Sequence, residues 1–104
     1  MNREYVKEIL EERKILHPDD PAVLRCWNKL VQELTKNEDD TINYFYMCTD
    51  DEIEWLSEVF EDIAEVFKSE SFISALKEIQ KKFPDLDLES DIKYAQQSIN
   101  QIKK

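Results

Sequence analysis

The chain predicts an all-α fold, one compact domain of five or six short antiparallel helices, and three observations carry that expectation. There is no glycine in 104 residues, and tight hairpin turns lean on Gly or Asn at positive φ. Apolar residues recur at spacings of three and four along most of the chain. The three prolines, Pro18, Pro21 and Pro84, fall where helices would start or stop. At this length one core is feasible without staples, so residues 1–104 are read as a single domain. A bundle and a layered array of helical hairpins both fit.

Residues 3 to 16 form the first amphipathic helix, with Tyr5, Val6, Ile9, Leu10 and Leu16 on one face. His17-Pro18 ends it, because the residue before proline resists the helical conformation. Asp19-Asp20-Pro21 opens the second helix with an acidic cap and a proline in the first turn. Its stripe is Val23, Leu24, Trp27, Leu30, Val31 and Leu34, running to about Lys36, with Trp27 expected in the core. Thr41 to Cys48 is ambiguous, since its β-branched and aromatic residues would suit a strand. No second strand is available to pair with it, and Glu38, Asp39 and Asp40 suit a helix N-terminus. The reading is a short third helix over about 39 to 48, with Ile42 and Phe45 inward and Tyr44 outward.

Thr49-Asp50-Asp51-Glu52 is a capping box that starts the fourth helix. Ile53, Leu56, Phe60, Ile63 and Phe67 form its apolar stripe, while Asp51, Glu54, Glu58, Glu61 and Glu65 repeat with the same spacing opposite. Trp55 falls between the stripes, near Glu58 and Asp62. A fifth helix begins at Ser69 or Glu70 and stops at Pro84, with Phe72, Ile73, Leu76, Ile79 and Phe83 inward and Lys77, Lys81 and Lys82 outward. Asp87 or Ser90 caps a sixth, whose stripe is Ile92, Ala95, Ile99 and Ile102. Short connections predict that sequential helices are antiparallel neighbours.

Charge is the most informative property. The net charge is −10. Residues 37 to 67 hold eleven carboxylates and no Lys or Arg, so this stretch carries the whole excess. Such a balance argues against direct binding of nucleic acid, whose phosphates demand cations, and against an anionic membrane surface. Exposed helix faces usually mix signs, because like charges at i,i+4 repel by about 0.2–0.5 kcal/mol. Here Glu54/Glu58 and Glu61/Glu65 are like-charge pairs with no cation among them. A tolerated local penalty marks a functional surface. The pattern points to a docking face for a cationic protein: Asp51, Glu54, Glu58, Glu61, Asp62 and Glu65 with Asp39 and Asp40 beside them, and Trp55, Tyr44 and Tyr46 as aromatic anchors. The other reading of such a stripe is a solvated face, and the other reading of each aromatic is core.

Catalytic chemistry is thinly represented. The lone His17 sits beside a proline without a Cys or Ser partner, and Ser69 and Ser71 read as caps. Carboxylate pairs on an exposed helix lack the cleft that acid–base work requires. For metals, no His joins the acids, and an EF-hand loop needs a central Gly. No cofactor, no metal and no enzymatic activity are expected. Cys26 and Cys48 lack metal-type spacing and are too few for a disulfide scaffold, so reduced thiols in a cytoplasm are expected. The charged N-terminus is unlike a secretory signal, no run approaches the ~20 apolar residues of a membrane span, and a monomer is favoured.

Residues 58 to 95 resemble small acidic bacterial immunity proteins, which neutralise polymorphic or contact-dependent toxins. The residues that carry the resemblance are Phe60, Glu61, Asp62 and Ala64, then Ser71-Phe72-Ile73, then Lys81-Lys82-Phe83-Pro84-Asp85-Leu86-Asp87, then Asp91-Ile92. The Tyr-Tyr-Pro element of nuclease-colicin immunity proteins is absent. The resemblance implies a cytoplasmic, stoichiometric inhibitor of a cognate toxin, often a nuclease with a basic groove. The alternative is an acidic adaptor or nucleic-acid mimic that occupies the groove of a DNA- or RNA-binding protein.

Overall fold

The computed structural model describes residues 1–100, and every described element is helical. The order is α1 (Arg3–Ile15), α2 (Ala22–Leu34), α3 (Glu38–Met47), α4 (Asp50–Leu56), a 3-10 turn (Ser57–Val59), α5 (Phe60–Phe67), α6 (Glu70–Lys82) and α7 (Glu89–Asn100). Since α4, the turn and α5 run on without a gap, the described chain makes six helical rods, one of them interrupted by the 3-10 turn. The Ile102 assigned to the last stripe lies outside the described residues.

Local chemistry starts and stops these helices where the sequence indicates. Asn2 caps α1 by accepting from the Tyr5 N–H at 3.0 Å. Asp20 accepts from the Ala22 N–H at 2.8 Å and serves as the side-chain cap of α2, with Pro21 already in the helical region. Asn37 caps α3 through the Asp40 N–H at 2.9 Å. The ambiguous 41–48 segment is therefore helical to Met47. A lone strand would leave its backbone donors and acceptors unpaired, whereas an Asn cap followed by three acids satisfies the helix start. The capping box of α4 is complete: the Glu52 N–H donates to Thr49 Oγ1 at 3.2 Å, and the Thr49 N–H donates to Glu52 Oε1 at 2.9 Å.

One helix end has an unusual occupant. α5 closes on Lys68 in the left-handed region, at φ 52° and ψ 42°, and the Lys68 N–H bonds to the Ala64 carbonyl at 2.8 Å. Glycine commonly takes this position because it has no Cβ. In a chain without glycine, a lysine holds it at a local cost of about 1–2 kcal/mol.

The core is built on Phe45, Phe60 and Phe72, all fully buried. The ring of Phe45 lies 5.8 Å from Phe60 and 6.0 Å from Phe72, centroid to centroid, and Phe67 meets Phe72 edge-on at 5.5 Å. Helix pairing departs from a simple up-and-down order. The principal packing partners are α5 with α7, α1 with α2, α6 with α7, and α3 with α6. Two of these pairs skip over intervening elements. Within the interrupted rod, α4 meets α1 whereas α5 meets α7, so its two halves serve different neighbours. A Cα radius of gyration of 13.1 Å matches the ~13 Å of a compact domain of about 100 residues. No helix among the described residues is long and apolar enough to cross a membrane.

Candidate docking surface

The acidic stripe of residues 51 to 65 is not one straight line. A 3-10 turn advances ~120° per residue and an α-helix ~100°, so three residues of 3-10 structure rotate α5 relative to α4 by roughly 60°. Val59 is buried as a result, and Glu58 is drawn inward.

Glu58 departs most from its expected role. It takes a two-pronged bond from Arg13: Nε to Oε1 at 2.8 Å and Nη2 to Oε2 at 2.8 Å. Trp27 Nε1 donates to the same Oε1 at 3.0 Å. The Arg13 side chain is only 7% exposed and that of Glu58 26%. The Arg13 guanidinium carbon also lies 5.0 Å from the Trp55 ring centroid. Glu58 is thus a brace joining α1, α2 and the 3-10 turn, not a free surface acid. Trp27 is half-buried against the core, as is Trp55. Trp55 is the platform under Arg13, which limits its use as an anchor.

Two further acids of the expected docking face are spoken for. Asp51 pairs with Lys14 at 2.9 Å, and Asp40 takes the N-terminal ammonium at 3.2 Å and Arg3 at 3.8 Å. Asp39 and Glu54 are exposed. Tyr44, expected outward, is 5% exposed. Thr41, Tyr44, Phe45 and Cys48 share the buried face of this segment, and that phase carries Tyr44 into the core. Among the described residues its buried hydroxyl meets no conventional hydrogen-bond partner, its polar neighbour being the Cys48 thiol; Arg3 lies 5.4 Å from its ring centroid, and burial pushes its phenol well up. Tyr46 is exposed, and its carbonyl accepts from Lys82 Nζ at 2.8 Å. Of the three proposed anchors, only Tyr46 stands out in solvent.

Of the acids expected in the docking face, Asp39, Glu54, Glu61, Asp62 and Glu65 have no ion-pair partner among the described residues, and the last three gather on α5, all exposed. Desolvation, then the neighbouring Glu65, raise the Asp62 pKa above its ordinary value. Asp91, on α7, is raised by desolvation, then by Asp87 and Glu58. α5 packs on α7, so Asp91, in the first turn of α7, stands on the helix next to the acidic one. Asp87 and Asp91 are acids that a charge count taken segment by segment does not bring out. Residues 68 to 104 carry six acids and seven bases, a balance that hides where the acids gather. The signal that could have found them is the Asp-Leu-Asp-Leu-Glu-Ser-Asp run at the start of α7. A helix N-terminus favours negative charge there, which lowers the cost of concentrating it.

Other chemistry is sparse among the described residues. Cys26 and Cys48 are free and buried, and burial pushes both thiols up, Cys48 to about 12, so both hold their protons at neutral pH. No three His, Cys, Asp or Glu side chains among the described residues are grouped to hold a metal ion. His17 is exposed and its Nδ1 accepts from the Asp19 N–H at 3.1 Å, a turn contact. Comparison with known protein families, curated proteins and solved structures finds no match for this chain.

Proposed function

We propose that this chain is a stoichiometric inhibitor, an immunity protein that binds a cognate bacterial toxin domain and blocks it in the cytoplasm. The observation that carries the reading is the set of unpaired carboxylates on Glu61, Asp62 and Glu65, with Asp87 and Asp91 around the start of α7. Some other acids, Asp40, Asp51 and Glu58 among them, are paired, whereas here like charges stand side by side at a cost. Clustered negative charge raises the rate of encounter with a cationic partner and aligns it. The basic substrate groove of a nuclease is the complementary surface. Tyr46, exposed on α3, is the aromatic available to supply the apolar contact that charge alone lacks.

Co-expression with the product of the adjacent gene tests the proposal. The expected result is that the neighbour alone arrests growth, that this chain restores it, and that the two co-purify one to one. A neighbour that is harmless alone contradicts the immunity reading. The second reading, an acidic mimic that occupies the groove of a DNA- or RNA-binding regulator, draws on the same unpaired carboxylates. It predicts a non-toxic neighbour that releases its nucleic acid when this chain is added.

A further inference from the structure

A well-defined recess of the described molecule lies away from the acidic helix. It is an open groove of about 780 Å³ between the C-terminal half of α6, the loop 83–88 and the start of α7. α6 contributes Lys77 and Lys81, one turn apart, and the loop contributes Asp85 and Asp87. Leu86 and Ile92 give it an apolar lining. Among the described residues Lys77, Asp85 and Asp87 have no ion-pair partner, and Lys81 has only an exposed contact to Glu78 at 3.4 Å.

The groove is preorganised. Gln80 Nε2 donates to the Phe83 carbonyl at 3.1 Å and to the Leu86 carbonyl at 2.7 Å, while its Oε1 accepts from the Leu88 N–H at 2.9 Å. One side chain therefore ties down both arms of the loop, and Leu88 is buried beneath it. A recess already shaped before binding loses less conformational entropy when it is filled.

We infer that this groove seats a segment of the protein partner with an apolar ridge, an acidic edge against Lys77 and Lys81, and a basic edge against Asp85 and Asp87. Charge complementarity selects that occupant. A second copy of the chain is opposed by a net charge of −10 on each molecule. A uniformly basic segment is attracted by Asp85, Asp87 and Glu89, which also lines the groove, and repelled by the two lysines. The acidic face of α5 attracts any cationic surface, whereas the lysines of the groove demand a carboxylate at one place. The groove thus supplies the discrimination that the acidic face lacks. This deepens the proposed function and rests on it for the partner's identity, while the recognition chemistry is testable without that partner.

The experiment uses the isotopically labelled full chain and three synthetic helical peptides sharing one leucine ridge. One has a Glu edge and a Lys edge, one has Lys on both edges, and one has Glu on both. The two-signed peptide should bind about tenfold more tightly than either of the others, with amide shifts concentrated at Gln80, Leu86 and Ile92. In the double variant Lys77→Glu/Lys81→Glu, both changes being exposed, the preference should pass to the all-Lys peptide. Circular dichroism of that variant should match the parent. Equal affinity for all three peptides, tighter binding of the all-Lys peptide to the parent chain, shifts centred on α5, or no binding at about 1 mM would each overturn the inference. Growth rescue by the parent chain is read separately, so loss of the groove and loss of the immunity reading are distinguishable.

Discussion

The two halves of this molecule treat the same functional group in opposite ways. From α1 to the 3-10 turn, several carboxylates are construction material, although Glu4, Glu8, Glu12, Asp39 and Glu54 stand exposed without an ion-pair partner among the described residues. Glu58 braces Arg13 and Trp27, Asp51 holds Lys14, and Asp40 holds the chain's own amino terminus. Glu33, buried on α2, accepts from the Asn2 N–H at 2.7 Å and pairs with Lys36 at 3.0 Å. From α5 to α7, some carboxylates face one another, while Glu78 pairs with Lys81 and Glu70 accepts from Gln96. Asp62 sits beside Glu65, and Asp91 beside Asp87. Lysines are available in the second half too, yet Lys77 lines the groove without pairing to those acids. The contrast separates charge that stabilises the fold from charge that is free to meet a partner.

Breaking the brace should give the largest effect. Glu58→Ala leaves the Arg13 guanidinium buried without its carboxylate and the Trp27 N–H without its acceptor, and should cost about 3 kcal/mol in urea unfolding. Replacing both partners with apolar residues, Arg13→Met with Glu58→Leu, should recover much of that loss, because no uncompensated charge remains. A Glu58→Ala variant as stable as the parent would mean that Glu58 belongs with the free acids after all.

At the seam between the halves, Lys68→Gly removes the Cβ strain of the left-handed position. It should stabilise the chain by about 1 kcal/mol, read as a rise in the thermal midpoint. Smaller, and opposite in sign between the halves, are two matched charge reversals. Asp51→Lys destroys the Lys14 pair and places a cation in the first turn of α4, for a loss of about 0.5 kcal/mol. Glu61→Lys turns a like-charge i,i+4 contact with Glu65 into an attractive one, for a gain of about 0.3 kcal/mol. Equal effects in the same direction would erase the contrast.

The pH dependence should also divide. Hydrogen bonding to Asn2 and then the Lys36 pair hold the Glu33 carboxyl below its ordinary 4.5. Its stabilisation is present above that value and is lost as pH falls through the lowered pKa. Asp62 and Asp91 are raised above their ordinary 3.8. The folded state binds their protons more readily than the unfolded state does, so their contribution to stability falls as pH rises from 3.8 through the raised values. Thermal midpoints of Glu33→Gln against Asp62→Asn/Asp91→Asn, followed from acid to neutral pH, should therefore diverge. The first variant loses stability at neutral pH and the second gains a little.

Much of the fold was legible because it is written in neighbouring residues. The Thr49–Glu52 capping box, the Asp20-Pro21 start of α2 and the apolar stripes of α5 and α6 are local signals, and each stands where the spacing places it, while Leu24 of the expected α2 stripe faces solvent. Helix was also the better reading of 41–48, although the phase was misjudged and Tyr44 turned inward. The site was less legible, because its details depend on contacts between distant residues. Arg13 and Trp27 lie 45 and 31 residues from Glu58, and no periodicity reveals that they converge on it. The 3-10 turn that rotates the stripe is marked by neither glycine nor proline. Asp91 stands on the helix next to the acidic one only because α5 packs on α7.

The central claim is that the free carboxylates of the second half, not the braced ones of the first, meet a cationic partner. Titration calorimetry of the chain with the adjacent gene's product, at low and near-physiological salt, tests it most directly. The triple variant Glu61→Lys/Asp62→Lys/Glu65→Lys should weaken binding by about a hundredfold or more and flatten its salt dependence, while remaining folded. Parent-like affinity with a parent-like salt dependence in that variant would contradict the account.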